Sequence, residues 1–270
     1  MPSSASTSLA PHAGSAGARR WSTYRGERGV ARLKNPFYMP LMAAYVLGAF
    51  ESMEGMPFSS EWEETGADTY TITVEATGDK PEVSDRMQVG VAPLLPGNNR
   101  HETCPRCRAP RALSNWKWDL AEGIITDSRT GSRVLKLDGH GITAVFRELV
   151  AELGEEVHEI LVDVQREWTV EHLGQLGIAP SSSETLSRQE LEKAYGEYLA
   201  TMPLEGLGNP VSFKIRDSEI EVVIENPYST FVLAGTLQGL YEAFEKAPSK
   251  VDWRESRPGA VHFAVGPARR

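Results

Sequence analysis

A chain of 270 residues fits one large domain or two small ones, because single hydrophobic cores stop growing at about 250–300 residues. Its 40% apolar and 24% charged residues are those of an ordinary soluble protein, and no apolar run approaches the roughly 18 residues of a membrane helix. The formal charge of −9 gives most of the surface the wrong sign for a phosphate backbone, which argues against direct nucleic-acid binding.

Residues 1–20 read as a disordered tail. Met1 to Ala18 are rich in Ser, Ala, Gly and Pro, with His12 their one ionisable side chain and no basic start leading into an apolar stretch, so they do not form a secretory signal. Residues 21–99 are expected to hold a helix and strands. Pro40 suits a first helical turn, and Leu41, Ala44, Tyr45, Gly48, Ala49 and Met53 fall at helical spacing, predicting a helix buried on that face. Tyr70 to Ala76 alternates as a strand does, and Met87 to Leu95 is a second extended piece running into the loop Pro96-Gly97-Asn98-Asn99.

Residues 100–137 carry the only two cysteines, Cys104 and Cys107, in one C-x-x-C. That spacing is too short to staple a long loop and fits a reducing compartment, which implies a cytoplasmic location. Trp116 to Asp119 and Gly123 to Asp127 then predict two short strands around a glycine-containing turn.

Residues 138–270 read as one domain. Ile142, Val145, Phe146, Leu149, Val150 and Leu153 form an apolar helical stripe, and Val157, Ile160, Leu161, Val164 and Trp168 give a second helix. After the serine-rich linker that follows Pro180, Ser187-Arg-Gln-Glu190 has capping-box spacing and starts a third helix at Arg188. Val211 to Ile215 and Glu219 to Glu225 alternate as a hairpin, and Asn226-Pro227 breaks it. Leu233, Leu237, Leu240, Tyr241 and Phe244 mark a further helix, in which Gly235 and Gly239 would let another backbone come close. Val251 to Trp253 and Ala260 to Val265 are two last strands. No internal repeat of fixed period stands out, which argues against a solenoid.

The order helix, helix, helix, hairpin, helix, hairpin, with Gly206-Leu-Gly208 before the first hairpin and Glu225-Asn-Pro-Tyr228 and Leu233-Ala-Gly235-Thr-Leu-Gln-Gly239-Leu-Tyr-Glu242 after it, resembles the 4-vinyl-reductase-type, hydrocarbon-binding domain. The resemblance covers the last half of the chain. It implies an α+β fold, an antiparallel sheet with packed helices, similar to the haem-based nitric-oxide sensor and 4-vinyl-reductase fold. It also implies a pocket for a small hydrophobic or aromatic molecule, and a homodimer. Aromatic-sensing members of the family bind zinc around the last hairpin through a Glu and several Cys. Here that stretch is Glu255-Ser-Arg-Pro-Gly-Ala-Val-His262-Phe, in which only Glu255 fits, so that metal is not carried over.

Two sets of candidate site residues follow. Within His101-x-x-Cys104-x-x-Cys107, two thiolates, with the imidazole as a candidate third donor, have the spacing of ligands to a tetrahedral Zn²⁺, and the strands after them resemble a zinc-ribbon hairpin; closure needs a further donor, and a redox dithiol or a plain turn are the other readings. Phe146, Trp168, Tyr228, Phe231 and Tyr241 come from separate elements and are candidates to line an apolar cavity. The polar tips of Trp168, Tyr228 and Tyr241 would orient a phenolic or carbonyl ligand. His158 and His172 share a helix face but stand roughly 20 Å apart along it, too far for one metal. Glu155, Glu156, Glu159, Glu167 and Glu171 read as a solvated helix face, and no strand-to-helix phosphate loop, G-x-S-x-G or H-E-x-x-H occurs, so no nucleotide cofactor is expected. The sequence thus points to a sensor or accessory protein for a small aromatic molecule, with a reductase or hydrolase acting on an aromatic or tetrapyrrole-type substrate as the alternative.

Overall fold

The computed structural model describes residues 18–21, 26–79, 86, 94–99, 101–180 and 185–268. Most of the expected tail, most of the extended piece from Met87 and the serine linker lie outside the described residues. The chain divides into two compact units, one of Met1–Arg86 and Ser114–Leu137, the other of Met87–Leu113 and Asp138–Arg270. No described helix is long and apolar enough to cross a membrane.

In the first unit, β1 (Ala18–Trp21), β2 (Arg28–Lys34), α1 (Met39–Glu54), β3 (Phe58–Gly66) and β4 (Thr69–Ala76) form one antiparallel sheet, in the order β1-β2-β4-β3, with α1 on one face. Alternation along the strands turns Ala31, Leu33, Ile72 and Val74 to that face, where Met42, Ala43, Val46 and Phe50 of α1 close the core. Pro40 stands in the first turn of α1 and Gly55, at φ 67, ends the helix. The expected buried stripe is corrected here. Ala44, Tyr45, Gly48 and Met53 are exposed, and the helix buries the neighbouring stripe instead. Both stripes are apolar, so periodicity could not choose between them. A second sheet joins β5 (Trp116–Asp119), β6 (Ile124–Asp127) and β7 (Arg133–Val134), with the expected turn at Gly123, φ 68. The Arg129 guanidinium, 2.7 Å from the buried Asp127 carboxylate, holds that carboxyl below its ordinary range.

The second unit contains α2 (Gly139–Leu153), α3 (Glu156–Gln175), α4 (Arg188–Glu205), β8 (Asn209–Arg216), β9 (Glu219–Glu225), α5 (Thr230–Glu245), β10 (Ser249–Arg257) and β11 (Ala260–Pro267). Its antiparallel sheet runs β10-β11-β9-β8, so the unit has the expected α+β architecture. Asp138 caps α2 by accepting from the His140 and Gly141 amides, and the predicted capping box of Ser187 and Glu190 is in place on α4. α5 is buried along its length between α3 and the sheet. Leu233, Leu237 and Leu240 are almost wholly removed from water, which stabilises the unit by about 1.5–3 kcal/mol for each such side chain. The glycines of α5 do what their spacing predicts. A Cβ on Gly235 would lie 2.4 Å from the Val162 carbonyl oxygen, and one on Gly239 would lie 2.7 Å from that of Arg166, so α3 sits directly on the α5 backbone.

The two units share a module, which corrects the expectation of no internal repeat. One constant displacement along the chain, without a gap, carries β2, α1, β3 and β4 onto β9, α5, β10 and β11, end residue for end residue. Register follows: Trp62 faces Ile72 as Trp253 faces Phe263, and Lys34 faces Thr69 as Glu225 faces Ala260. The irregularity between Glu64 and Gly66 returns between Glu255 and Arg257. Asn35 and Asn226, each directly before a proline that leads into the helix, both take a left-handed conformation, φ 53 and 50. Glu51 accepts from the Phe58 amide at 3.1 Å, as Glu242 accepts from the Ser249 amide at 3.1 Å. Each Asn also grips another stretch of its unit: Asn35 donates to the Glu122 carbonyl, and Asn226 bonds both backbone groups of Leu95.

Candidate functional site

Within the second unit, α3 and the outer strand β10 leave an open groove of about 510 Å³ between them. His158, Glu159, Val162 and Asp163 line one side, Lys250 to Trp253 the other, and Gln238 and Ser249 the base. These positions follow from local periodicity. Residues three and four apart share a helix face, which puts His158 with Val162 and Glu159 with Asp163, while β10 brings its run of consecutive residues along the rim.

One end of the groove is aromatic. The His158 ring stacks on Phe231 with centroids 4.2 Å apart and planes 17° from parallel, and Phe231 meets Trp253 edge-on at 6.1 Å. Such pairs contribute about 0.5–1.5 kcal/mol beyond burial and hold the rings in fixed orientation. The Glu155 carboxylate lies 2.8 Å from His158 Nδ1. The base is a hydrogen-bonded chain. Arg166 binds Glu242 at 2.9 Å, Glu242 accepts from the Ser249 hydroxyl at 3.0 Å, and the Gln238 amide donates to the Ser249 carbonyl at 2.8 Å. Because these partners occupy one another, the base is rigid and its polarity is largely satisfied. Glu159, Asp163 and Asp252 make the rim acidic, with Lys250 held by Asp252 at 3.0 Å. The arrangement can hold a flat molecule against the His158 and Trp253 rings while polar groups fix its edge.

The C-x-x-C forms a tight turn closed by a Thr103–Pro110 bridge. The Cys104 amide donates to Ala109 and the Arg108 amide to Cys104, each at 2.8 Å, and Arg108 takes φ 64. Hydrogen bonds from the backbone of Cys107 and Arg106, and then from the Cys107 side chain, hold the Cys104 thiol below the ordinary thiol range. Amides aimed at a sulfur suit a thiolate that ligates a metal. No group of three or more His, Cys, Asp or Glu converges in metal-binding geometry among the described residues. His101 is therefore not gathered with the two thiols; its Nε2 is buried without a hydrogen-bond partner.

Of the five aromatic residues singled out in the sequence, none is among those that line the groove; Phe231 packs on two that do, His158 and Trp253. Trp168 is 52% exposed and stacks on His172 at 4.6 Å. Tyr241 is buried, and its hydroxyl donates to the Ser218 carbonyl at 2.8 Å. The Tyr228 ring lies against Gly139, and its carbonyl accepts from Thr143. Phe146 is half-buried on α2. The buried Tyr195 is a further aromatic of the core, packed on Phe213 and Phe244, with a hydroxyl that has no partner and a phenol that burial pushes up. Sequence reasoning missed Trp253, Gln238 and Asp252, and set His158 aside. β10 is exposed at every position from Asp252 onward, Trp253 included, and nothing in its sequence marks it as the wall of a groove.

No family model and no curated protein matches the chain. Solved structures do. The phenol-responsive sensory domain of the transcription activator PoxR with phenol is similar at 15% identity and a TM-score of 0.41, over 57% of this chain and 85% of that one. The H-NOX of Shewanella woodyi is similar at 19% identity and a TM-score of 0.35, over 58% and 83%. A mutant of the T. tengcongensis H-NOX is similar at 14% and 0.34, over 50% and 77%. At these identities and scores the likeness concerns the course of the chain and assigns this protein no ligand.

Proposed function

We propose that the second unit binds a small aromatic molecule in the groove between α3 and β10, as a sensor or accessory protein in the cytoplasm, and that the protein acts as a homodimer. The observation that carries this reading is the fixed stack of His158, Phe231 and Trp253 at the end of a groove large enough for one small ligand. A ring in the ligand would add one more member to that stack, which suits binding better than bond-making. Phenol is the first probe. Titration calorimetry is expected to give saturable binding to the full chain that weakens at least tenfold in Trp253→Ala, with the fold intact by circular dichroism. Phenol and larger phenolic and indolic probes binding equally well to wild type and to Trp253→Ala would refute this site.

Zinc belongs to the reading at Cys104 and Cys107, with His101 as the third donor once it turns toward the thiols. Metal analysis of protein purified without chelator is expected to give zinc that is lost in Cys104→Ser. Metal-free wild-type protein that takes up none on dialysis against zinc contradicts that assignment.

A further inference from the structure

The duplicated module has been finished in two different ways. In the second unit, Ser229, Gly235, Thr236, Gly239 and Ala243 of α5 and its N-cap are buried, and the Gly235–Gly239 face lies directly under α3. The same places along α1 are Tyr38, Ala44, Tyr45, Gly48 and Ser52, and every one of them is exposed. Tyr38 is 60% exposed and Tyr45 50%. A Cβ on Gly48 meets nothing within 4 Å, where one on Gly239 meets Thr169 and the Arg166 backbone. The module therefore presents, in its first copy, the face that a helix covers in its second.

We propose that this face of α1 is where two copies of this chain meet, α1 against α1 across a two-fold axis. The inference rests on the dimeric reading above and names its surface. Three features select a second copy as the occupant. First, the corresponding face of α5 already accepts a helix, at a spacing that only small residues allow. Second, α1 carries no charged side chain from Met39 to Phe50. It offers nothing to steer a charged partner, and it meets its own copy without like-charge repulsion. Third, a two-fold pairing sets each residue against the same stripe reversed, so Tyr45 of one copy fills the open space above Ala44 and Gly48 of the other. One pair of four-turn helices covers less than the roughly 1,200–2,000 Å² of a standard interface, so this dimer dissociates on dilution.

Sedimentation velocity of the full chain over a concentration series tests the proposal. Wild type is expected to pass from monomer to dimer as concentration rises. Gly48→Arg should remain monomeric throughout. Since the added side chain has open space and arginine is the better helix former, the variant should melt no lower than wild type at dilutions where both are monomeric, separating loss of the interface from loss of the fold. Val164→Arg, on the exposed side of α3, serves as the control and should dimerise as wild type does. A wild type that stays monomeric overturns the dimeric reading and this surface together. A dimer that survives Gly48→Arg, or that Val164→Arg dissolves instead, overturns the surface and leaves the dimer standing.

Discussion

α1 and α5 are one helix twice over, and their contrast separates what the fold needs from what its surroundings add. Both close a core against the sheet with four equivalent positions: Met42, Ala43, Val46 and Phe50 in α1, Leu233, Ala234, Leu237 and Tyr241 in α5. Both position a glutamate to accept from the first amide of the next strand. The difference lies on the opposite face, covered by α3 in one copy and bare in the other. A ββαββ module thus keeps its shape without its outer helix; the outer helix adds the groove.

The sharpest way to break that comparison is a paired substitution. Gly239→Ala puts a methyl 2.6 Å from Thr169 Cβ and 2.7 Å from the Arg166 carbonyl and is expected to destabilise the second unit by about 2–3 kcal/mol. Gly48→Ala makes the same change in open space and is expected to stabilise by about 0.5–1 kcal/mol, from helix propensity alone. Urea unfolding of both variants checks the signs. Equal effects would mean that the two faces are not differently covered.

A smaller contrast comes from the glutamates. Glu242 serves the Ser249 amide, the Ser249 hydroxyl and Arg166, so Glu242→Ala should destabilise by about 2–3 kcal/mol, leaving the Arg166 guanidinium with only the exposed Asp163 and Glu167 and two Ser249 donors without their acceptor. Glu51 has the Phe58 amide, and Glu51→Ala should lose about 1 kcal/mol. Where the modules agree, so should the numbers. Asn35→Ala and Asn226→Ala each remove a side-chain bond to another segment and a residue tolerant of positive φ, and each should destabilise by about 1–2 kcal/mol.

The smallest effect is one of pH. The Asp127 carboxyl is held low by Arg129, so its contribution is present above the unfolded carboxyl value of about 3.9 and is lost as pH falls through the lower, folded one. Asp127→Asn should lower the first unit's melting temperature near neutrality, read by Trp116 and Trp118 fluorescence, and flatten its acid limb, so that variant and wild type converge at low pH. An acid limb as steep as that of wild type would show that Asp127 is not the group being protonated.

Much of the second unit was legible because its signals are local: the Ser187 capping box, the alternation of Ile220, Val222 and Ile224, and the Gly235–Gly239 spacing all became what they predicted. The repeat was not legible, because packing preserves apolar character and volume more than identity. Met42 answers to Leu233, Phe50 to Tyr241 and Ile72 to Phe263, while the shared letters, among them Asn35-Pro36 with Asn226-Pro227, Gly48 with Gly239, Glu51 with Glu242 and Trp62 with Trp253, are too scattered to announce themselves. The groove was hidden for another reason. Which strand of a sheet lies beside α3 is set by topology, and no residue of β10 records that it is an outer strand.

Hydrogen exchange of the full chain, followed by mass spectrometry at rising protein concentration, tests the two-faced module most directly. Amides of α5 from Leu233 to Phe244 should be protected to the same degree at every concentration, because α3 covers them within one chain. Those of α1 from Met42 to Phe50 should gain protection as concentration rises. Exchange in α1 that is indifferent to concentration, or that matches α5 at the lowest one, would contradict the account.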